Sequence, residues 1–349
     1  MRRQRVEDMR EGDAFAGVLL VKSCRLLTAK SGNYYVDLEL VDRTGRVKGK
    51  IWKASRETAE ELPPNTFAFF RGHVERFRDE LQLIVESFRK VAEEEIEPAD
   101  FMPTSRFGTE EMESFLRRKA ESLANPHLRA LWEAALADEE FMEGFRTCPA
   151  AVSYHHVFLG GLMEHTCEVV RLAEAVARVR PELDRDLLLT GALLHDAGKV
   201  EEYSRGPAFT QLERGLLLGH LYMGAEMIER WTAGIEGFPR ALADQLKHLV
   251  LSHHGTKEFG SPVEPCFAEA IVLHYVDNID AKLNNVRTTI EQDEGEKGEA
   301  FTRQQSPMLR RRLLKTTLRP EPEGYDPFGE AEEGASGEGD EAEGESTLF

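Results

Sequence analysis

The run from Leu188 to Val200, LLTGALLHDAGKV, restricts the possible folds of this chain more than any other stretch. Its leucines and alanines cover nearly the whole circumference of a helix, so the segment belongs inside a helical layer rather than on its surface. The helix closes on an imidazole and a carboxylate side by side, His195 and Asp196, with Gly198 and Lys199 immediately after. An ionised Asp at that depth costs several kcal/mol unless it is paired or holds a cation. Other helices must therefore bring partners to Asp196.

Helical periodicity extends from about Glu110 to Ile290, broken at Asn125-Pro126, Cys148-Pro149, Arg180-Pro181, Arg205-Gly206-Pro207, Gly237 to Pro239 and Gly260 to Pro265. This predicts an all-α domain over 109–290. Upstream the period is two: Tyr34, Val36, Leu38 and Leu40 alternate with Tyr35, Asp37 and Glu39, and DRTG (42–45) is a hairpin turn. About five short strands within 1–92 predict a small all-β barrel, for which the OB-fold is a common solution. Between the two, EEEIEPADFMPTS is acidic and without period, which predicts a linker over 93–108. Residues 291–320, with PMLRRRLLKTTLR, predict a basic helical extension. Residues 321–349 hold eleven acids and no base, the composition of a disordered tail.

The net charge of −19 argues against a polyanionic partner only until its placement is considered. Residues 1–92 carry eighteen Lys and Arg against fourteen Asp and Glu, so the question of a polyanionic partner belongs to this N-terminal part. There Arg46, Lys48, Lys50 and Trp52 share one face of a strand, with Val47 and Ile51 on the other. Cations interleaved with an aromatic suit single-stranded nucleic acid; a solvated strand with a tryptophan over the barrel rim is the alternative. The cations Arg310, Arg311, Arg312 and Lys315 either extend such a path or form a solvated helix face. Cys24, Cys148, Cys167 and Cys266 form no CxxC pair, which points to reduced thiols. No signal sequence opens the chain and no run of about 18 apolar residues crosses it, so a cytoplasmic protein without a membrane partner is expected. Apolar stripes ahead of the histidine motifs point to a homo-oligomer.

Several histidines fall at the polar ends of the helical runs: His165, His195, His220, His253 and His254, joined by Asp196 and Asp277. This nitrogen and oxygen set suits Mn²⁺, Fe²⁺, Co²⁺ or Zn²⁺ and needs no thiolate. An Asp between two ions is the arrangement of two-metal phosphate-ester hydrolysis.

The order H…HD…H…HH…D resembles the metal signature of the HD phosphohydrolase superfamily. The wider text HHVFLGGLMEHT, LLHDAGKVEEY, LLLGHLYMG, LSHHG and HYVDNIDAK resembles the YhaM-type 3′→5′ exoribonucleases, in which an OB-type domain precedes the HD domain. The resemblance covers about residues 12 to 320. It implies that His165, His195, Asp196 and Asp277 hold one ion, with Mn²⁺ the first candidate, and that Asp196 bridges to a second held by His220, His253 and His254. Adjacent helical side chains point roughly 100° apart, so His253 and His254 share a site only where the helix ends, as Gly255 allows. The resemblance also places Lys199 at the scissile phosphate, against the alternative of an exposed lysine. His155 and His156 are candidate phosphate contacts or proton donors, or loop histidines facing water. Asp280 shares the helix face of Asp277 and either supports the site or replaces Asp277 as ligand. His73, His127, His248 and His274 are assigned structural roles.

The activity so implied is metal-dependent 3′→5′ trimming of single-stranded RNA, or of single-stranded DNA, to nucleoside 5′-monophosphates, with Asp196, His195 and Lys199 catalytic. The alternatives are an HD phosphohydrolase of small or cyclic nucleotides with a regulatory barrel, and a non-catalytic single-strand-binding protein.

Overall fold

The computed structural model describes residues 4–29, 32–78, 80–102, 104–151, 158–204, 210–293, 295, 298–315 and 325–328. Strands β1 (Ala14–Thr28), β2 (Tyr34–Asp42), β3 (Gly45–Trp52), β4 (Thr66–Phe77) and β5 (Glu80–Lys90) close into a barrel in the order β1-β2-β3-β5-β4. A short helix, α1 (Arg56–Glu60), lies between β3 and β4 in sequence, with the Ser55 side chain accepting from the Thr58 amide. The β2–β3 turn forms where DRTG predicts it, because the Asp42 carboxylate accepts from the amides of Thr44 (2.8 Å) and Gly45 (3.2 Å). Closure comes from β3 and β5 running parallel, and the alternating inner row includes Leu19, Val21, Val36, Leu38, Leu40, Phe70 and Leu83. The expected small all-β domain is thus an OB-type barrel.

The segment expected as a linker is packed rather than free. Ile96 and Phe101 are buried against Val18, Leu20 and Phe67 on the outside of the barrel, with the Phe67 and Phe101 rings edge to face at 4.9 Å. Beyond them Thr104 pairs with Leu159, and the Ser105 hydroxyl donates to Glu164 at 2.7 Å, which ties the strand-rich part to the helices.

The helices are α2 (Thr109–Glu121), α3 (Pro126–Ala137), α4 (Glu139–Thr147), α5 (Gly161–Val179), α6 (Arg185–Leu194), α7 (Lys199–Glu202), α8 (Glu213–Ala233), α9 (Arg240–Ser252) and α10 (Ala268–Glu291). Helix α6 is the central rod: every residue from Asp186 to Leu194 is buried, and it packs on α3, α5, α9 and α10. Gly191 permits that closeness, since a Cβ there would sit 2.6 Å from Leu249 Cδ1. The one polar side chain at its centre, Thr190, accepts from Trp132 Nε1 at 2.9 Å. The stripes of α2 to α4 that pointed to an oligomer, among them Phe115, Leu131, Trp132 and Phe141, lie inside this core.

Over residues 298–315 the basic extension expected to be helical is not. Residues 298–315 form turns closed by a bridge between Phe301 and Leu314. Pro307 supplies no amide, and the buried hydroxyls of Thr302 and Ser306 bond to Gln304 O and Asn285 Oδ1, competing with helical hydrogen bonds. Three of its cations are engaged locally: Arg311 donates to Leu309 O, Arg312 donates to Thr302 O, and Lys315 pairs with Asp293 at 2.6 Å. Nor is the tail wholly without structure. Phe328 is buried between Phe107 and Phe115, and Tyr325 accepts from Arg171 at 2.9 Å, so two aromatic side chains anchor an otherwise acidic segment.

Candidate metal centre and nucleic-acid face

Three helices and two helix ends converge on Asp196. Helix α6 stops at Leu194, with His195 as its cap, and His195 Nδ1 donates to Ala192 O at 2.8 Å, which leaves Nε2 facing inward. His165 comes from the first turns of α5 and Asp277 from the middle of α10. His220 lies within α8 just after a break at Gly219, whose φ of 72° and ψ of 157° no helix adopts. His253 caps α9, and its Nδ1 donates to Val250 O at 2.7 Å. Gly255, at φ 86°, turns the chain out of the helix, so His253 and His254 lie on one site with ring centroids 4.3 Å apart.

The Asp196 carboxylate faces two groups, one with each oxygen. Its Oδ2 is 3.6 Å from His165 Nε2 and 3.4 Å from His195 Nε2. Its Oδ1 is 3.6 Å from both His220 Nε2 and His253 Nε2. Asp277 Oδ1 completes the first group at 3.2 Å from His165 Nε2, and His254 joins His220 and His253 in the second. Two ligands each about 2.1 Å from a common ion, subtending roughly 110–120°, stand about 3.4–3.6 Å apart. The spacings therefore fit a divalent ion on either side of Asp196. Asp196 Oδ1 and His220 Nε2 also face each other buried and without a hydrogen-bond partner, a pairing that a cation between them satisfies.

The electrostatics differ between the two groups. Burial opposes ionisation of Asp196, yet Lys199 and His195 hold its carboxyl well below the usual range. Burial likewise opposes charge on His165, but its hydrogen bonds to Asp277 and Asp280 win and raise it to about 10. Asp277 is held below the ordinary carboxylate range by His165 against burial. His254 moves the other way, down to about 3, through burial and the neighbouring His253 and His220. Asp277 and Asp280 thus favour the charged form of His165, while burial and the neighbouring imidazoles favour the neutral form of His254.

Lys199 is 7% exposed with Nζ 2.6 Å from Asp196 Oδ2, which removes the reading of an ordinary surface lysine. Asp280 touches the outer nitrogen of His165, Nδ1, at 2.6 Å, so it orients that ring and Asp277 faces the inner nitrogen. His274, assigned only a structural role, supports His253 by bonding its carbonyl at 2.7 Å. Glu202, absent from the sequence reading, lies 2.8 Å from His220 Nδ1; only tertiary contact distinguishes it from its neighbour Glu201. His155 and His156 lie outside the described residues.

On the barrel, Arg46, Lys48 and Trp52 face outward as expected, with Val47 buried behind them. Trp52 is 49% exposed and pairs in register with Tyr35, their ring centroids 5.2 Å apart. Lys50 reaches across this pair, its Nζ 5.4 Å from the Trp52 centroid and 4.9 Å from that of Phe77. Arg25 and Arg78 line the same groove. Lys48 pairs with Glu80, so part of its charge is neutralised within the face. Tyr35, Phe77, Arg25 and Arg78 thus extend the four residues read from the sequence.

Among the described residues no helix is long and apolar enough to cross a membrane. Two family models match: an OB-fold nucleic acid binding domain over residues 16–91 and an HD domain over residues 162–282. The chain is 34% identical to the 3′-5′ exoribonuclease YhaM of Bacillus subtilis over 282 residues, which is 80% of this chain and 88% of that protein. It is 34% identical to YhaM of a Geobacillus species, covering 78% of this chain and 84% of that one. To YhaM of Listeria monocytogenes it is 32% identical, covering 80% and 89%. A barrel of the OB type, an HD domain and this identity along four fifths of the sequence make the chain a member of the YhaM 3′-5′ exoribonuclease family.

Proposed function

We propose that this chain shortens single-stranded RNA from its 3′ end, releasing nucleoside 5′-monophosphates at a two-ion centre. The observation that carries this reading is the Asp196 carboxylate shared between two histidine groups. His165, His195 and Asp277 are assigned to one ion and His220, His253 and His254 to the other, with Asp196 between them. A set of imidazole nitrogens and carboxylate oxygens without thiolate favours Mn²⁺, with Fe²⁺ and Co²⁺ as neighbours in preference. When bound, such ions lower the pKa of water towards neutrality and stabilise negative charge on phosphate oxygens.

The chain's own residues do the rest. Trp52, Tyr35 and Phe77 offer stacking surface to successive bases, and Arg46, Lys48 and Lys50 meet the phosphates. His165 and His220 are held with their Nε2 atoms inward, so the pocket needs little rearrangement to take up ligands. Lys199 is the ammonium closest to Asp196, and its charge opposes the negative charge that builds on the non-bridging oxygens. His195, a neighbour of Asp196 in the chain and in space, fixes the carboxylate's surroundings.

The test is a timed digestion of 5′-labelled RNA with Mn²⁺, beside the H195A/D196A double variant. A descending ladder that the variant abolishes is expected, with 5′-monophosphates released. RNA that stays intact across several metals while still bound overturns the reading. Turnover of small nucleotides that persists after residues 1–92 are deleted would move the assignment to a nucleotide phosphohydrolase.

A further inference from the structure

We infer that Glu202 is the positioning residue of the second ion: by orienting His220 it decides whether the centre holds two ions or one. The inference rests on the two-ion reading above. His220 enters the site from the broken part of α8, so helical register does not set its ring; the break at Gly219 leaves that to side-chain contact. Glu202 Oε2 stands 2.8 Å from Nδ1, within contact distance yet without the alignment of a hydrogen bond. A cation on Nε2 fixes the ring's proton on Nδ1 and supplies the missing donor. The opposite side of the ring then presents the Nε2 lone pair, which already faces Asp196 Oδ1.

Glu202 is itself held firmly enough to act as a post. It is buried, its Oε1 accepts from Gln211 Nε2 at 2.7 Å, and its carbonyl accepts from the Leu212 amide at 2.9 Å. Helices α7 and α8 approach so closely that a Cβ on Gly215 would lie 2.5 Å from Glu202 O, and one on Gly198 2.1 Å from His220 O. The first group has its own counterpart: Asp280 holds His165 Nδ1 at 2.6 Å. Each group thus has a separate orienting carboxylate, and the two are separable by mutation. Loss of such an outer partner typically weakens metal binding about 10–100-fold.

The experiment is Mn²⁺ stoichiometry by equilibrium dialysis on the full chain, with electron paramagnetic resonance reporting the magnetic coupling between paired ions. Wild type is expected to bind two coupled ions. Glu202→Ala is expected to retain one, with the second weakened about 10–100-fold and the coupling lost, while Asp280→Ala weakens the other. Glu202→Gln keeps an acceptor for Nδ1–H and is expected to restore part of the coupling, which a general loss of packing would not allow. If Glu202→Ala does not fold, Glu202→Asp, which draws the carboxylate back from Nδ1 by one methylene, carries the test: an unchanged second ion overturns the proposal. Two ions with wild-type affinity in Glu202→Ala overturn it alone. A single ion in wild type overturns the two-ion reading and this proposal together.

Discussion

Replacing Gly219 with alanine isolates the backbone geometry that delivers His220. At φ 72° and ψ 157° the residue occupies a region that is essentially glycine-only, and holding another residue there costs about 1–3 kcal/mol. A Cβ at this position meets nothing within 4 Å, so steric clash with neighbours adds no cost. Alanine also restricts the unfolded chain, which returns about 0.4–1 kcal/mol. The net expectation is destabilisation centred near about 1.3 kcal/mol, within bounds of about 0 and 2.6, if His220 keeps its place. The alternative is that α8 relaxes to a continuous helix, which relieves the strain and swings His220 away from Asp196. Urea unfolding and Mn²⁺ stoichiometry measured on the same sample distinguish the two. Either stability falls with both ions retained, or stability holds and the second ion is lost. A Gly219→Ala protein with wild-type stability and wild-type metal content would refute the argument that the break is strained and that it positions the ligand. Gly198→Ala is the steric control: its Cβ would lie 2.1 Å from His220 O, so α7 and α8 must separate and the loss should be larger.

Trp52→Ala removes a stacking surface valued at about 1–3 kcal/mol per base, so single-stranded RNA binding should weaken roughly 5- to 150-fold by fluorescence anisotropy while the metal content stays unchanged. Phe328→Ala deletes a buried ring of the kind that costs about 3–5 kcal/mol in a core, but the loss should fall short of that because the tail segment can detach instead; thermal unfolding of this variant and of a chain ending at Pro320 should then agree closely. Glu174 gives a pH dependence away from the metal site: burial raises its pKa, but Arg185 and Lys119 bring it below the ordinary 4.5. A depressed folded pKa means that its stabilisation is present above the unfolded value and fades as pH falls through the folded one. Glu174→Ala should therefore lose more stability at pH 7 than at pH 3, and an equal loss at both would sink the assignment.

What could be read ahead of the structure divides by physical cause. The barrel hairpin was legible because DRTG places Asp42 opposite Gly45, and that register alone carries Tyr35 opposite Trp52. Single anchors were not legible: Ile96, Phe101 and Phe328 sit in acidic text with no period, and their burial depends on surfaces that other elements provide. The basic run near Arg311 looked helical because its cations and leucines favour a helix, but the buried Thr302 and Ser306 hydroxyls offered its backbone other partners. Asp196, at the centre of the candidate metal site, was legible for a different reason. A charged group at the end of an apolar helix has so large a desolvation cost that it needs a partner, and that requirement can be read without knowing the fold. Glu202 carries no such mark, since a carboxylate on a short polar helix can equally well face water; Asp280, one turn after Asp277, was legible only by its place on the same helix face, with its role left open. A carboxylate buried at a helix end therefore announces itself through energetics, whereas Glu202, which reaches His220 from another helix, emerges only once the helices are packed.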